Sequence, residues 1–218
     1  MRALISEALE NYQDLDLELA GWTFYPPFMP IVHRWEQFQG LHREVSDAPP
    51  GSPKADKKDA ADALMEFLTP LLAPSVDALG DTRLSGKISW QSIWQIFPPG
   101  ELVVTKFYGV EAICRVVKYK EKTGVYDITM EYLDWNGEQC GFTSIKRKIS
   151  AFRGINNVTS LPVYPVSFAQ DSEAIKRVVT HRGRQLEALR GYHFRTYSGS
   201  RILIDSNEQR PAGSSLTT

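Results

Sequence analysis

The sequence predicts an α+β fold: N-terminal helices packed on a small curled antiparallel β-sheet, a half-barrel, followed by a C-terminal helix and hairpin. Three observations predict it. Apolar residues recur at helical spacing up to Leu72. From Leu102 to Ile149 the period drops to two, and turn signals separate the runs. After Asp171 helical spacing returns. A chain of 218 residues fits one large domain or two small ones. At this size it buries roughly 70% of the surface its unfolded form exposes, so it needs no metal or disulfide to hold it. The reading taken is a single domain over 1–205, with a helical part at 1–80 and a sheet-centred part at 86–205. Residues 206–218 have the composition of a flexible tail.

The elements follow in order. Leu4, Ile5, Ala8 and Leu9 share one face of a short helix over 2–12. Gly21 to Pro30 is rich in aromatic residues and proline, and proline stops helices, so this segment is packed but irregular. A second helix is predicted from Ile31 to about Arg43, with Ile31, Trp35, Phe38 and Leu41 inward. Residues 47–58 hold no large apolar side chain and read as a mobile loop. The next helix runs from Asp59 to about Leu72. Leu64, Phe67, Leu68, Leu71 and Leu72 form its core stripe, and Pro74 and Gly80 are expected to break the chain. Ser89 caps a short buried helix, Trp90–Ile96, which Pro98-Pro99-Gly100 ends.

Four strands are then predicted: Leu102–Phe107, Glu111–Tyr119, Val125–Asp134 and Gln139–Ile149. Glu121 to Gly124 forms the second hairpin loop, and Asn136-Gly137 signals the third. In the third strand Tyr126, Ile128, Met130 and Tyr132 alternate with Asp127, Thr129 and Glu131, the pattern of a half-exposed antiparallel strand. Leu161 to Val166 carries prolines and is confined to an edge or a covering segment. Asp171-Ser172 starts a helix to about Leu189. His193–Tyr197 and Arg201–Ile204 pair as the last hairpin.

Composition excludes several classes. The net charge is −1, with 42% hydrophobic and 23% charged residues, so the molecule as a whole is no polyanion sponge. Charge is uneven, however. The first fifty residues are acidic, whereas Lys176 to Arg201 holds Lys176, Arg177, Arg182, Arg184, Arg190, Arg195 and Arg201 against Glu187 alone. Such runs are usually solvated faces. Cys114 and Cys140 fall in strands and read as small buried thiols in a reducing compartment. The N-terminus is no secretory signal, and no run approaches the ~20 apolar residues of a membrane span. An intracellular protein, cytoplasmic or nuclear, is therefore expected, with no membrane partner.

Three strings occur together: Ile88-Ser89-Trp90…Trp94-Gln95-Ile96-Phe97-Pro98-Pro99-Gly100, Glu131-Tyr132-Leu133-Asp134-Trp135-Asn136-Gly137, and Leu161-Pro162-Val163-Tyr164-Pro165 with His181-Arg182-Gly183-Arg184…Arg190-Gly191-Tyr192-His193. With Pro30-Ile31-Val32-His33-Arg34-Trp35, they resemble the domain of unknown function that precedes the ATPase module in fungal AAA-family ATPases. The resemblance extends from the N-terminal helices to Asp205. It implies a non-catalytic module that selects or docks a client, and an AAA-family ATPase as a partner. It does not carry ATP hydrolysis to these residues. The chain holds no Gly-x-x-x-x-Gly-Lys-Ser/Thr loop to cradle phosphate. A stand-alone relative and a piece of a longer ATPase both stay open, and the chain alone is expected to be a monomer.

No residue set specifies a reaction. His33, His42, His181 and His193 are not spaced as metal ligands. Cys114 lies in an apolar run where a thiol is usually inert. Asp127, Glu131 and Asp134 read as a solvated sheet face. No catalytic residue, metal or cofactor is expected. Two functions remain: docking of a protein partner, and nucleic-acid binding. The second would use Tyr108 or Tyr119, with Lys118, Lys120, Lys122, Lys146, Arg147 and Lys148 edging the sheet, and the Lys176–Arg201 segment. The candidate binding residues are Lys146, Arg147, Lys148, Arg182, Arg184 and Arg190.

Overall fold

The structure is a computed structural model and describes residues 1–12, 15–16, 21–135 and 139–188. The predicted Asn136-Gly137 turn, Arg190, the last hairpin and the tail lie outside these residues. The predicted mixed fold is present. Helices α1 (Arg2–Ala8), α2 (Met29–His33), α3 (Trp35–Ser46) and α4 (Lys58–Ser85) come first. Strand β1 (Lys87–Ser89) leads into a buried 3-10 helix at Trp90–Ile96. Strands β2 (Leu102–Phe107), β3 (Val110–Lys122), β4 (Val125–Trp135) and β5 (Cys140–Ser150) form the predicted meander. Short strands β6 (Ile155–Asn157) and β7 (Val163–Pro165) precede helix α5 (Ser172–Glu187).

The main sheet is antiparallel with strand order β5-β4-β3-β2-β7, and β1 pairs with β6 in a separate ribbon. The proline-bearing β7 takes the edge beside β2, where Val103 faces Pro165. An edge tolerates the missing N–H. One face of the sheet is buried: Val103, Cys114, Val116, Ile128 and Met130 are at most 1% exposed. These residues join Leu4, Val32, Trp35, Leu72, Ile93 and Phe97 in one hydrophobic core shared by helices and sheet.

The sheet is open and strongly curled. Arg147 on the edge strand β5 donates from Nε to Thr105 Oγ1 at 3.2 Å and from Nη2 to the Lys106 carbonyl at 3.0 Å, both on β2. Three strand spacings separate β5 from β2, about 14 Å on a flat sheet, beyond the reach of one side chain. The Arg147 contacts therefore require the concave curl of a half-barrel.

Several local expectations are corrected. The helix expected from Ile31 divides at Arg34, whose φ of −106° and ψ of 18° leave the helical basin. The helix expected to stop at Leu72 runs 28 residues to Ser85, through Pro70, Pro74 and Gly80. Pro70 and Pro74 lie four residues apart and both are exposed. The carbonyls they leave unpaired face water, so the interruption costs less than in a buried turn. The helix ends at Gly86, whose positive φ of 65° closes it with an N–H bond to the Thr82 carbonyl at 2.9 Å. The short helix at Trp90 is 3-10, and the Ser89 hydroxyl meets Ser92 Oγ at 3.1 Å rather than a backbone N–H. Strand β3 extends to Lys122, so the hairpin loop is only Thr123-Gly124.

The core stripe of α4 is narrower than its spacing suggested. Leu64, Leu68, Leu72 and Leu79 are buried, whereas Phe67 is 67% exposed and Leu71 is also exposed. Burial of Leu72 at 1% makes Leu72→Ala expected to destabilise by about 2–5 kcal/mol, through lost burial and the cavity left behind. Phe67→Ala should stay within about 0.5 kcal/mol. Urea unfolding of both variants measures the contrast.

Candidate interaction surface

Cross-strand partners point to the same side of a sheet, so register decides which charges meet. Thr129 lies between Lys118 and Lys146, and Asp127 lies between Lys120 and Lys148. Lys122 faces Val125 on the same side. Lys118, Lys120, Lys122, Lys146 and Lys148 thus stand together on the convex face of β3, β4 and β5, and all are exposed. Alternate residues on a strand are about 7 Å apart, and lysines two strands apart are about 10 Å apart. None of the five forms an ion pair with a described residue. Asp127 is the acid in their midst, and its Oδ1 is enclosed with no hydrogen-bond partner among the described residues.

The convex face changes character toward the other end of β4. Glu131 Oε1 accepts from Arg115 Nη2 at 2.5 Å and from Nε at 2.7 Å, and the Arg115 guanidinium lies 5.0 Å from the centre of the Phe142 ring. Phe142 pairs in register with Leu133, which is 62% exposed. The face is therefore basic at one end and apolar at the other.

The candidate residues divide accordingly. Lys146 and Lys148 belong to the convex group. Arg147, between them in sequence, points to the opposite, concave side, where its guanidinium lies 5.3 Å from the centre of the Phe107 ring. Arg182 on α5 is tied to the Glu111 carbonyl at the start of β3, and Arg184 is exposed on the same helix. Glu111 and Lys118 are roughly 20 Å apart along the strand. The α5 cations and the strand lysines are thus two separate clusters. No residue of α5 is buried. Tyr119, named as a stacking platform, faces inward, and its hydroxyl meets Met29 Sδ. Tyr108 is 72% exposed at the β2–β3 turn.

Tyr119 lies at a cleft of about 320 Å³ between the N-terminal segment and the end of β3. Tyr12, Leu15, Met29 and Pro30 form one side, Pro99 and Lys118 another, with Tyr119, Glu121 and Tyr126 also lining it. Burial raises the Tyr119 hydroxyl above the ordinary tyrosine range. Burial, with the neighbouring Glu121, pushes Tyr126 up to about 12. The Tyr126 hydroxyl donates to Glu121 Oε2 at 3.2 Å. Both tyrosines stay neutral donors at physiological pH.

Behind this cleft His33 closes the packing. Its Nε2 is 2.9 Å from the Trp94 carbonyl, an acceptor, so Nε2 carries the proton. In the neutral ring Nδ1 then accepts from the Tyr12 hydroxyl at 2.7 Å. Burial lowers the His33 pKa to about 4; the Trp94 bond opposes the shift and Arg34 adds to it. The position ties three segments together; among the described residues no group of three or more His, Cys, Asp or Glu is placed to hold a metal. Cys114 is buried, and burial pushes its thiol up to about 11, so it is a poor nucleophile. Cys140 is exposed, contrary to the expectation of two buried thiols. No helix among the described residues is long and apolar enough to cross a membrane.

The described residues define a helix-backed, open antiparallel half-barrel with one uncovered lysine face. Residues 78–170 match a family model described as a domain of unknown function, DUF7025. The match begins within α4, contains the whole main sheet and ends just before α5. No curated protein matches the chain, and no solved structure matches it.

Two outcomes follow from these positions. The folded pKa of His33 lies below its ordinary 6.5, so the unfolded chain takes up the proton first. The stability His33 contributes is complete above pH 6.5 and is lost as pH falls toward about 4. Between pH 6.5 and 5 the loss should be on the order of 1–2 kcal/mol. An NMR titration of the His33 ring should give a value near 4, and His33→Gln should flatten the fall in urea midpoint between pH 7 and pH 5. Arg147→Ala should cost about 1–3 kcal/mol through its lost bonds to β2. Lys146→Ser and Lys148→Ser should each change stability by less than about 0.5 kcal/mol.

Proposed function

We propose that the chain is a non-catalytic interaction domain that docks a protein partner through the convex face of β3, β4 and β5. The observation that carries this reading is the set of Lys118, Lys120, Lys122, Lys146 and Lys148 on one uncovered face. Five cations around one acid, Asp127, none of them in an ion pair with a described residue, attract an acidic surface and select against a basic one. The Leu133–Phe142 pair at the far end adds the apolar area that such contacts bury at their centre. The resemblance to the domain ahead of the ATPase module in fungal AAA-family ATPases supplies a setting. There the domain would select or hold a client for the ring, and the chemistry would belong to the ATPase module.

A second reading, nucleic-acid binding, draws on the same lysines, whose spacing of about 7 Å along a strand suits successive phosphates. The inward Tyr119 removes one stacking platform from it, and the net charge of −1 opposes non-specific attraction. Salt separates the two readings, because phosphate contacts release counterions. The tagged chain should retain specific proteins from its native extract at moderate salt. The charge-reversed variant Lys118→Glu, Lys120→Glu, Lys146→Glu, Lys148→Glu should lose them while unfolding at the same urea concentration. Capture dominated by nuclease-sensitive nucleic acid that vanishes with salt would overturn the protein-docking reading.

A further inference from the structure

Among the described residues, the last stretch of β3 has a strand on one side only. On its β2 side, pairing ends where Gly100 N donates to the Val116 carbonyl and Val116 N donates to the Glu101 carbonyl, both at 2.8 Å. The chain before that is Pro98-Pro99, which has no N–H to offer. Beyond Val116 the β3 edge carries no described strand for the remaining residues to Lys122, roughly 20 Å of extended chain.

The groups that point out of this edge follow from the hairpin. Thr123 and Gly124 both have positive φ, 38° and 78°, the two-residue primed turn. In that hairpin the flanking pair, Lys122 and Val125, exchanges ladder bonds, and bonded pairs then alternate. Lys122, Lys120 and Lys118 therefore direct their N–H and C=O to β4. Tyr119 and Glu121 direct theirs outward, toward the cleft. The irregularity between Val116 and Lys118 shifts the alternation by one residue, so Val116 points outward as Tyr119 and Glu121 do. No described residue pairs with the outward groups of Tyr119 and Glu121.

Side chains alternate along the same edge. Lys118, Lys120 and Lys122 stand on the convex side, Lys118 also at the rim of the cleft, whereas Tyr119 and Glu121 point to the cleft. A strand added here would place every second side chain beside those lysines and the others in the cleft, where Tyr12, Met29 and Pro99 wait. The cleft volume, about 320 Å³, lies at the lower end of the range for ligand pockets and suits one or two side chains.

We infer that the free edge of β3 at Tyr119 and Glu121 receives an extended acidic segment of a protein partner as an added strand, with an apolar side chain in the adjoining cleft. The site rests on the docking reading above and specifies its partner: a segment that alternates Asp or Glu with apolar residues. Charge complementarity fixes the acidic positions, since opposite charges directly across a sheet stabilise the pair. Backbone bonds to Tyr119 and Glu121 supply affinity, and the cleft supplies selectivity.

The test selects a phage-displayed library of random ten-residue peptides on the full chain at moderate salt. Enriched sequences should alternate acids with apolar residues. The best peptide, added to the chain, should slow hydrogen exchange at the amides of Tyr119 and Glu121. Glu121→Pro removes an outward N–H without touching a bond to β4, and should weaken the peptide at least tenfold. Glu121→Ala loses the same side chain but keeps that N–H, so it should bind the peptide at least tenfold more tightly than Glu121→Pro and still show protection of the Tyr119 amide. If Glu121→Pro fails to fold, the triple variant Lys118→Glu, Lys120→Glu, Lys122→Glu gives the second readout, again a loss of at least tenfold. Peptides that lack the alternation, protect other amides or bind Glu121→Pro unchanged would overturn the edge site. So would a library with no enriched sequence. In each case retention of proteins by the wild-type chain, with loss in the charge-reversed variant, would leave the docking reading standing. Loss of that retention would bring down both.

Discussion

Burial of the Trp90–Phe97 segment between the helices and the curled sheet is the constraint on which the rest of the structure depends. Ile93 and Phe97 are fully enclosed, and Trp94 and Ile96 nearly so. A buried 3-10 segment leaves backbone groups that must find partners. The Trp94 carbonyl finds His33 Nε2, and Gln95 Nε2 donates to the Ser75 carbonyl at 2.9 Å. Through these bonds one short segment is fixed to α2 and α4 at once. Trp90 adds the third attachment, its ring 4.7 Å from Tyr126 and 5.9 Å from Phe152. Each large side chain buried here contributes roughly 1.5–3 kcal/mol before entropy is counted.

The inner face of the sheet meets this segment through Trp90, whose ring packs on Tyr126 of β4. Arg147 holds the curl of the sheet from inside by reaching from β5 to β2. The lysines of the convex face are exposed among the described residues, and α5 contacts β3 near Glu111. Lysines on that face and along the β3 edge keep the sheet soluble and discourage unintended pairing. In the docking proposed above, a partner with the opposite charge pattern would meet these same side chains.

The surface was partly legible in the sequence. Lys146, Lys148 and Lys118 were readable as cations on a strand, whereas Lys120 lay past the expected strand end and Lys122 in the expected hairpin loop. Their gathering was not, because it depends on the register of β3 against β4 and of β4 against β5. Arg147 shows the limit most clearly: its position in a basic triplet marks it as a surface cation, yet a period of two sends it to the opposite face. The cleft at Tyr119 was invisible for a similar reason. Tyr12, Met29, Pro99 and Tyr126 are far apart in the chain, and no local spacing relates them.

By itself the sequence determined the mixed class, the meander and its strand boundaries to within a few residues, the alternation of β4 and the confinement of the Leu161–Val166 segment to an edge or a covering position. These rest on hydrophobic period and turn chemistry, which act over a few neighbours. Tertiary structure alone decided the continuation of α4 through Pro70 and Pro74, the exposure of Phe67 and the ring state of His33. It also set the inward turn of Arg147 and Tyr119. Each of these depends on what another segment covers: burial sets the cost of a missing hydrogen bond, of an exposed ring and of a proton. That cost cannot be read before the distant chain is in place.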